Sequence, residues 1–429
     1  MNARRVASLA FHTLLFVLVF LPSGTLVGFH VKAFAFVIFA AAFLVYIIGD
    51  RSSLSIGHIL FAVLVITFLL FLTFISLVRG NADTVDIFGE LGDIATTIVV
   101  STLGLLLVRN RVIKAESVIM TVVYAMCGLS LMKFGFAAAL YSLGLQGFDV
   151  MDSVFGQAAV TVDLVPFYSD FLFPRIEFPA DILLPLAMFA VLAPSISGMR
   201  PGKMVKGVLV VILLLSAILA YSRYIWMLCV VALIVAAIIE NVRKSSIIVA
   251  LVVLASLFSF NEVLMAVAQA RFASNSSTVS DEIRSEQFKQ LAAAFEDHPL
   301  LGIGLGGHVQ IIRSFTRTYS YELQWVALLM QVGIVGMAGI LLLIFAAAND
   351  LFAARHRGRG WLLLLFLLYL GAAFTNPNLT TSFAGGAFLL FMMFFHRMRT
   401  LGCDRVQSSI SPILAVGFAP QHNSYGLDP

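Results

Sequence analysis

Charge is what this sequence has least of. Lysine, arginine, aspartate and glutamate make up 12% of the 429 residues, against 60% apolar and aromatic, and mean hydropathy is +1.00. A soluble domain carries about 25% charged residues. One this poor in them could not hide its apolar surface from water, so a water-soluble globular enzyme is excluded and lipid must be the solvent for much of the chain. Cysteine is scarce as well. Cys127, Cys229 and Cys403 fall in two apolar runs and the C-terminal tail, so no disulfide framework is indicated. The short motifs of metal chemistry are also missing: there is no HExxH, CxxC or DxD, and the polar loops hold no carboxylate cluster. Neither a metal nor another cofactor is therefore expected.

Long apolar runs are what is present. A helix needs about 20 apolar residues to cross the hydrocarbon. Such runs recur near 7–23, 31–48, 58–78, 88–108, 115–135, 179–195, 204–221, 224–240, 245–261, 322–347, 361–375 and 380–396. The expected fold is all-α: a single polytopic membrane domain over 1–429 with about twelve transmembrane helices. The first run follows Arg4 and Arg5, but no small-residue cleavage pattern closes it, and Pro22-Ser23-Gly24 reads as a turn. It is counted as a first helix rather than a cleaved signal.

Basic residues orient this arrangement. An even number of spans puts both termini on one side. The segments sharing that side carry Arg4, Arg5, Arg51, Arg109, Arg111, Lys114, Arg200, Lys203, Lys206, Arg243 and Lys244, then Arg355, Arg357, Arg359, Arg397, Arg399 and Arg405. They hold most of the chain's basic residues, in short loops, and the positive-inside rule makes them cytoplasmic, with a cytoplasmic tail at 397–429. The formal charge of +4 is thus a topology signal and calls for no nucleic-acid partner.

Two connections facing away from the cytoplasm are long, 136–178 and 262–321, and loops of that length usually do something. Arg175, Arg271, Arg284, Lys289, Arg313 and Arg317 concentrate there, with Arg223 at a span end. Each alone reads equally well as a solvated charge. Together they point to an anionic ligand, because a guanidinium matches phosphate with a bidentate fork. Within the second loop an amphipathic helix is expected near 281–297, capped by Ser280 and ended by His298-Pro299. Glu282, Glu286, Lys289, Glu296 and Asp297 gather on one face, and Ile283, Phe288, Leu291 and Phe295 on the other. Arg284 stands in the apolar face, where it must find an anion or snorkel past. The following Gly302-Ile-Gly304-Leu-Gly306-Gly307 formally contains GxGxxG, but no strand precedes it. A tight reversal or close backbone approach fits better than a dinucleotide site. Glu90 and Asp93, one turn apart in a span, read either as a proton or cation path or as structural charges at a helix end. Lys133 reads as a snorkelling lysine.

An ordered series of residues resembles a known family. It runs from Ala220-Tyr-Ser222-Arg223-Tyr-Ile-Trp226 through Arg271 and Arg284 to Asp297-His-Pro299-Leu-Leu-Gly302-Ile-Gly304-Leu-Gly306. It continues in Tyr321-Glu322-Leu-Gln through Gln331-Val-Gly333-Ile-Val-Gly336 and closes on Asn376-Pro377-Asn378. Over about 205–390 the chain resembles the O-antigen ligase and O-antigen polymerase superfamily of bacterial envelope-glycan enzymes. The resemblance implies metal-independent glycosyl transfer at the outer, periplasmic or exterior, face of the bacterial inner membrane. The implied donor is a polyprenyl-pyrophosphate-linked glycan, the acceptor is a glycan hydroxyl, and a chain-length regulator is an implied partner. It further implies that Arg223 and Arg284 hold the pyrophosphate; Arg271 is joined to them, and Arg313 and Arg317 are additional candidates, from the basic residues gathered in the loop. Where the ligases carry a His-Asn pair this chain has Glu322-Leu323, so Glu322 becomes the candidate general base, with His308 next. That departure favours a polysaccharide repeat-unit polymerase over a glycan-to-lipid or glycan-to-protein ligase. A secondary transporter would have a similar number of helices, yet the halves show no internal repeat. An envelope scaffold would not call for a loop-helix arginine.

Overall fold

A computed structural model describes residues 3–21, 30–49, 55–143, 161–168, 171–241, 276–312, 317–374, 379 and 381–416. In chain order the helices are α1 (Ala3–Phe20), α2 (Val31–Gly49), α3 (Ile56–Arg79), α4 (Thr84–Arg109) and α5 (Ala115–Leu143). A hairpin of β1 (Thr161–Tyr168) and β2 (Phe171–Glu177) follows, then a 3-10 turn Pro179–Leu183 that runs into α6 (Leu184–Leu192). The longer helices that follow are α7 (Lys203–Ala220), α8 (Arg223–Ile239), α9 (Ser276–Asp297), α10 (Gln324–Ala347), α11 (Arg359–Gly371) and α12 (Ser382–Val416).

Helices dominate because lipid offers no partner to a backbone amide, and only a helix satisfies its own within one segment. Seven described helices, α1 to α5, α7 and α10, are long and apolar enough to cross a membrane. Three shorter apolar helices, Pro179–Leu192, Arg223–Ile239 and Arg359–Phe374, stand where further spans are expected. The run 245–261 lies outside the described residues. The protein is a multi-pass membrane protein.

Three expectations need amending. The fold is all-α in class, but it carries one hairpin, in which β1 and β2 pair antiparallel, Val162 opposite Ile176 and Val165 opposite Phe173. Pro166 and Pro174 argue against strands in a sequence reading, but each strand of a two-stranded ribbon has an unpaired edge that tolerates proline. The segment 136–178 is accordingly not all loop: α5 continues to Leu143, and the hairpin fills its second half. The tail is not all tail either, because α12 continues through 397–416.

Packing centres on α12, which lies along α4 and also meets α1 and α5. Gly104 permits this: a Cβ there would overlap Leu389 of α12 and Phe11 of α1, so the helices approach as closely as small residues allow. Phe366 and Tyr369 of α11 meet Phe388 and Phe391 of α12, several of these rings edge to face.

Two charge clusters pin the bundle. Asp350, in a short helix Asn349–Ala353, receives Arg109 of α4 at 3.0 Å and Arg399 of α12 at 2.7 Å, with His396 at 3.4 Å. Burial alone would raise its pKa, but hydrogen bonds from His396, Arg399 and Arg109 hold the carboxyl well below the usual range. Its stabilising effect is therefore present above the unfolded-state pKa and is lost only as pH falls through the lower folded value. Lys133 of α5 does not snorkel. With Asp181 it is fully buried: Nζ lies 2.8 and 2.7 Å from the two carboxylate oxygens and 3.1 Å from the carbonyl of Ser216 in α7. Asp181 also accepts the amide of Phe178 at 2.8 Å. Removing one partner of such a pair strands a buried charge, at a cost of about 3–5 kcal/mol. Lys133→Met should therefore lower the melting temperature of the detergent-solubilised protein more than Lys133→Met/Asp181→Leu does. Equal losses in the two variants would count against an energetic role for the pair.

Candidate functional site

Helix α10 is broken, and the break organises the site. Gly333 sits inside it at φ 63°, ψ −172°, a conformation open essentially only to glycine. In an unbroken helix the amides of Ile334 and Val335 would reach the carbonyls of Met330 and Gln331. Instead, the segment 299–304 is spliced between them. Ile334 donates to Pro299 O at 2.9 Å and Val335 to Leu300 O at 3.1 Å, while Met330 O accepts from Ile303 at 3.0 Å and Gln331 O from Gly304 at 2.9 Å. All four interrupted groups are re-paired, as buried backbone requires. A Cβ on Gly302 would overlap the Gln331 carbonyl, and one on Gly333 the Leu300 carbonyl. The glycine-rich run therefore serves backbone approach between chain segments.

The same turn is anchored on α3 and α4. Leu305 donates to Ser76 Oγ at 2.6 Å, and Gly306 donates to the buried Glu90 Oε2 at 2.7 Å. The strand of chain that follows is clasped to the same face of α4. Arg317 meets Asp93 at 3.2 Å, Thr318 donates to Asp86 at 2.7 Å, and the Tyr319 ring packs against Gly89. Gln331 closes the platform from within α10, donating to Gly307 O at 3.1 Å and Tyr319 O at 3.3 Å. Val309 donates to the hydroxyl of Tyr321, and burial pushes that phenol up to about 12.

On this platform two of the candidate residues meet. Arg284 Nε, on α9, lies 2.6 Å from Glu322 Oε2, two residues before α10 begins. Each side chain keeps about a quarter of its surface exposed. The anion that Arg284 needs is thus supplied by the protein. The buried stripe of α9 is Gln287 and Leu291, with Ala294 and Phe295 packed beside them, whereas Ile283 and Phe288 stay exposed. The expected apolar face is therefore rotated, because Gln287 packs inward.

Arg223 opens α8 directly after Tyr221, which takes the left-handed conformation at φ 52°, and the buried Ser222. Among the described residues it has no ion-pair partner. Its neighbour Tyr224 hydrogen-bonds the carbonyl of Leu368, and Trp325, three residues past Glu322, donates to the carbonyl of Leu370 at 2.9 Å. Gln324 accepts the amide of Leu379 at 2.6 Å. The starts of α8 and α10 are thus braced on two carbonyls near the end of α11, those of Leu368 and Leu370. Arg317 is engaged by Asp93, and His308 is exposed without a partner among the described residues. Arg271, Arg313 and Asn376-Pro377-Asn378 lie outside the described residues.

A sequence reading misses Ser76 and Asp86 as parts of this site, and it places Gln324 and Gln331 in the resembling series without a role. Their signal is a polar side chain inside an apolar run. Gly333→Ala should lose the folded protein, through both a forced positive φ and a Cβ overlap, at a cost above ~3 kcal/mol. Gly135→Ala, where a Cβ meets nothing within 4 Å, should be tolerated. Fluorescence-detected gel filtration across a temperature series separates the two outcomes.

Residues 208–341 match the family model described as O-antigen ligase, a stretch that includes Arg223, Arg284, the glycine-rich turn, Glu322 and Gly333. No curated protein sequence matches the chain. Through that stretch, roughly a third of its length, the chain is similar to the O-antigen ligase family, which supports the O-antigen ligase and polymerase superfamily.

Proposed function

We propose that the protein is a polysaccharide repeat-unit polymerase. It transfers a glycan from polyprenyl pyrophosphate to a hydroxyl of a second glycan at the outer face of the inner membrane. The observation that carries this reading is the Arg284–Glu322 pair, set on a rigid backbone platform at the end of the bundle where Arg223 begins α8. Both termini and 349–360 are then cytoplasmic, and the segments 136–178 and 262–321 lie outside, which agrees with the basic residues gathered around Asp350 at the opposite end.

In this mechanism the acceptor oxygen forms a bond to the anomeric carbon as the bond from that carbon to the pyrophosphate oxygen breaks. The acceptor proton passes to Glu322 as general base, and polyprenyl pyrophosphate departs. Arg223, together with Arg271, meets the incoming pyrophosphate, and Arg284 exchanges Glu322 for it. That exchange releases the carboxylate as the donor arrives and places fixed cations where negative charge develops. Arg313 is a further donor contact, while Arg317 holds the loop through Asp93. Polymerase is preferred to ligase because Glu322 stands where the ligases carry histidine. In a deletion strain, accumulated single lipid-linked repeat units fit a polymerase and long unattached chains a ligase.

Arg223→Ala and Arg284→Ala should each abolish polymer at unchanged protein level, and the lysine variants should rescue poorly because a point charge cannot supply the bidentate fork. Near-normal polymer from both alanine variants would remove the donor site. Glu322→Gln should slow transfer by about a hundredfold or more while the protein still binds donor. A wild-type rate in purified protein supplied with lipid-linked repeat units would move the base to His308. Single cysteines in a background lacking the native three should be reached by an impermeant maleimide at position 276 in intact cells, but at 357 only after lysis. The reverse pattern would invert the topology.

A further inference from the structure

Exposed rings stand on the elements that carry the Arg284–Glu322 pair. The first is on α9, a helix polar in composition. Phe288 lies one turn beyond Arg284, the i,i+4 spacing that sets two side chains side by side. The core of the platform does not use it: α9 buries Gln287 and Leu291 instead, and Phe288 is left 52% exposed.

The second stands where α11 closes in a 3-10 turn, Ala372–Phe374. Ala372 and Ala373 are fully buried and anchor the turn, whereas Phe374 is 55% exposed. Its ring centroid lies 6.3 Å from that of Trp325, three residues past Glu322, with the planes tilted by 42°. The indole is held in place by its bond to Leu370 O at 2.9 Å, and Tyr224, beside Arg223, takes the carbonyl of Leu368 on the same helix. Trp325 and Phe374 therefore occupy the helix end that braces both α8, which Arg223 opens, and α10, which Glu322 precedes.

An aromatic side chain suits a membrane interface when an apolar body is joined to a polar tip that meets water or headgroups. Phenylalanine has no such tip, and that of Trp325 is turned to a protein carbonyl. A pyranose is the partner these surfaces fit. The C–H bonds on one face of the sugar carry partial positive charge and meet the negative face of an aromatic ring, while its hydroxyls point outward.

We propose that Trp325, Phe374 and Phe288 form a sugar subsite, on which the pyranose nearest the exchanged bond lies with a C–H face against the rings, beside Glu322. This subsite rests on the proposed glycosyl transfer for its ligand, and it adds a basis for choosing among sugars. A ring with equatorial hydroxyls is favoured over one with an axial hydroxyl on the stacking face.

The test titrates full-length protein in detergent with two lipids, the lipid-linked repeat unit and a sugar-free polyprenyl diphosphate. Wild-type protein should bind the sugar-bearing lipid more tightly. Phe374→Leu and Phe288→Leu, which keep apolar bulk and remove the aromatic face, should each raise its Kd, and its KM in transfer, about fivefold to tenfold. Phe374→Tyr and Phe288→Tyr keep the ring and should keep the affinity. The Kd of the sugar-free lipid should hold its wild-type value in all four variants, which also reports that they fold. Tyr141→Ala, which removes an exposed ring near the end of α5, should change neither constant. Equal affinity of wild type for the two lipids, or leucine variants that leave both values unchanged, overturns the subsite. So does a parallel rise for both lipids, since the rings would then serve the fold or the lipid. Transfer indifferent to the leucine variants removes the subsite and leaves the reaction standing. Ring-dependent binding without transfer by wild-type protein does the reverse: the reaction fails and the glycan site stands. Binding of neither lipid removes both.

Discussion

The splice of 299–304 into the break of α10 is the constraint on which the rest of the site depends. Backbone that leaves helical geometry at membrane depth must be buried in protein with its amides and carbonyls paired. Here the pairing is reciprocal. The turn takes its partners from α10, and α10 could not be broken at Gly333 without the turn. Once that exchange is made, Leu305 and Gly306 fall against Ser76 and Glu90, so α3 and α4 are tied to the same point. The loop residues 317–319 then return along α4 and deliver Glu322 to the start of α10, within reach of Arg284. A connection that would be a floppy excursion in water becomes a rigid shelf because its amides and carbonyls at 299–306 and its side chains at 317–319 are paired with α3, α4 and α10.

How much of this was legible in the sequence follows from what each residue reports. Apolar runs near 20 residues announce helices, because length and composition alone decide whether lipid is tolerated. The ordered residues around Arg223, Arg284, Gly302 and Gly333 announce the superfamily, and the match over 208–341 agrees. The meaning of the glycines was half legible: close approach could be read, but the partner could not, since nothing local tells Gly302 that it will face the Gln331 carbonyl. Glu90 and Asp93 of α4 were open between ion path and structural charge, and their partners at Gly306 and Arg317 lie more than 200 residues away in sequence. Lys133 misleads for the same reason. Its position near a span end suggests snorkelling, whereas Asp181 offers a closer and drier partner. The hairpin hides behind its prolines, and the rotated burial of α9 behind a glutamine that packs inward.

The arginines at the platform end differ in what holds them, and on the proposed reaction that difference sets an order of events. Arg317 is bound to Asp93 on α4, within a clasp that also uses Thr318, so moving it would loosen the loop. Arg284 is bound to Glu322, a pair at the surface of the platform whose two partners each remain about a quarter exposed. Arg223 is bound to no acid among the described residues. If the proposed reaction holds, an entering pyrophosphate gains first from Arg223, where no existing pair need be broken. It gains next from Arg284, where the loss of one carboxylate contact is offset by a more highly charged partner. Arg317 stays where the loop needs it. On the proposed reaction this ordering matters, because a general base that is released only after the donor is seated cannot act on an empty site. On that reaction the Arg284–Glu322 pairing couples donor binding to the readiness of the base, with the start of α10 braced by the spliced turn.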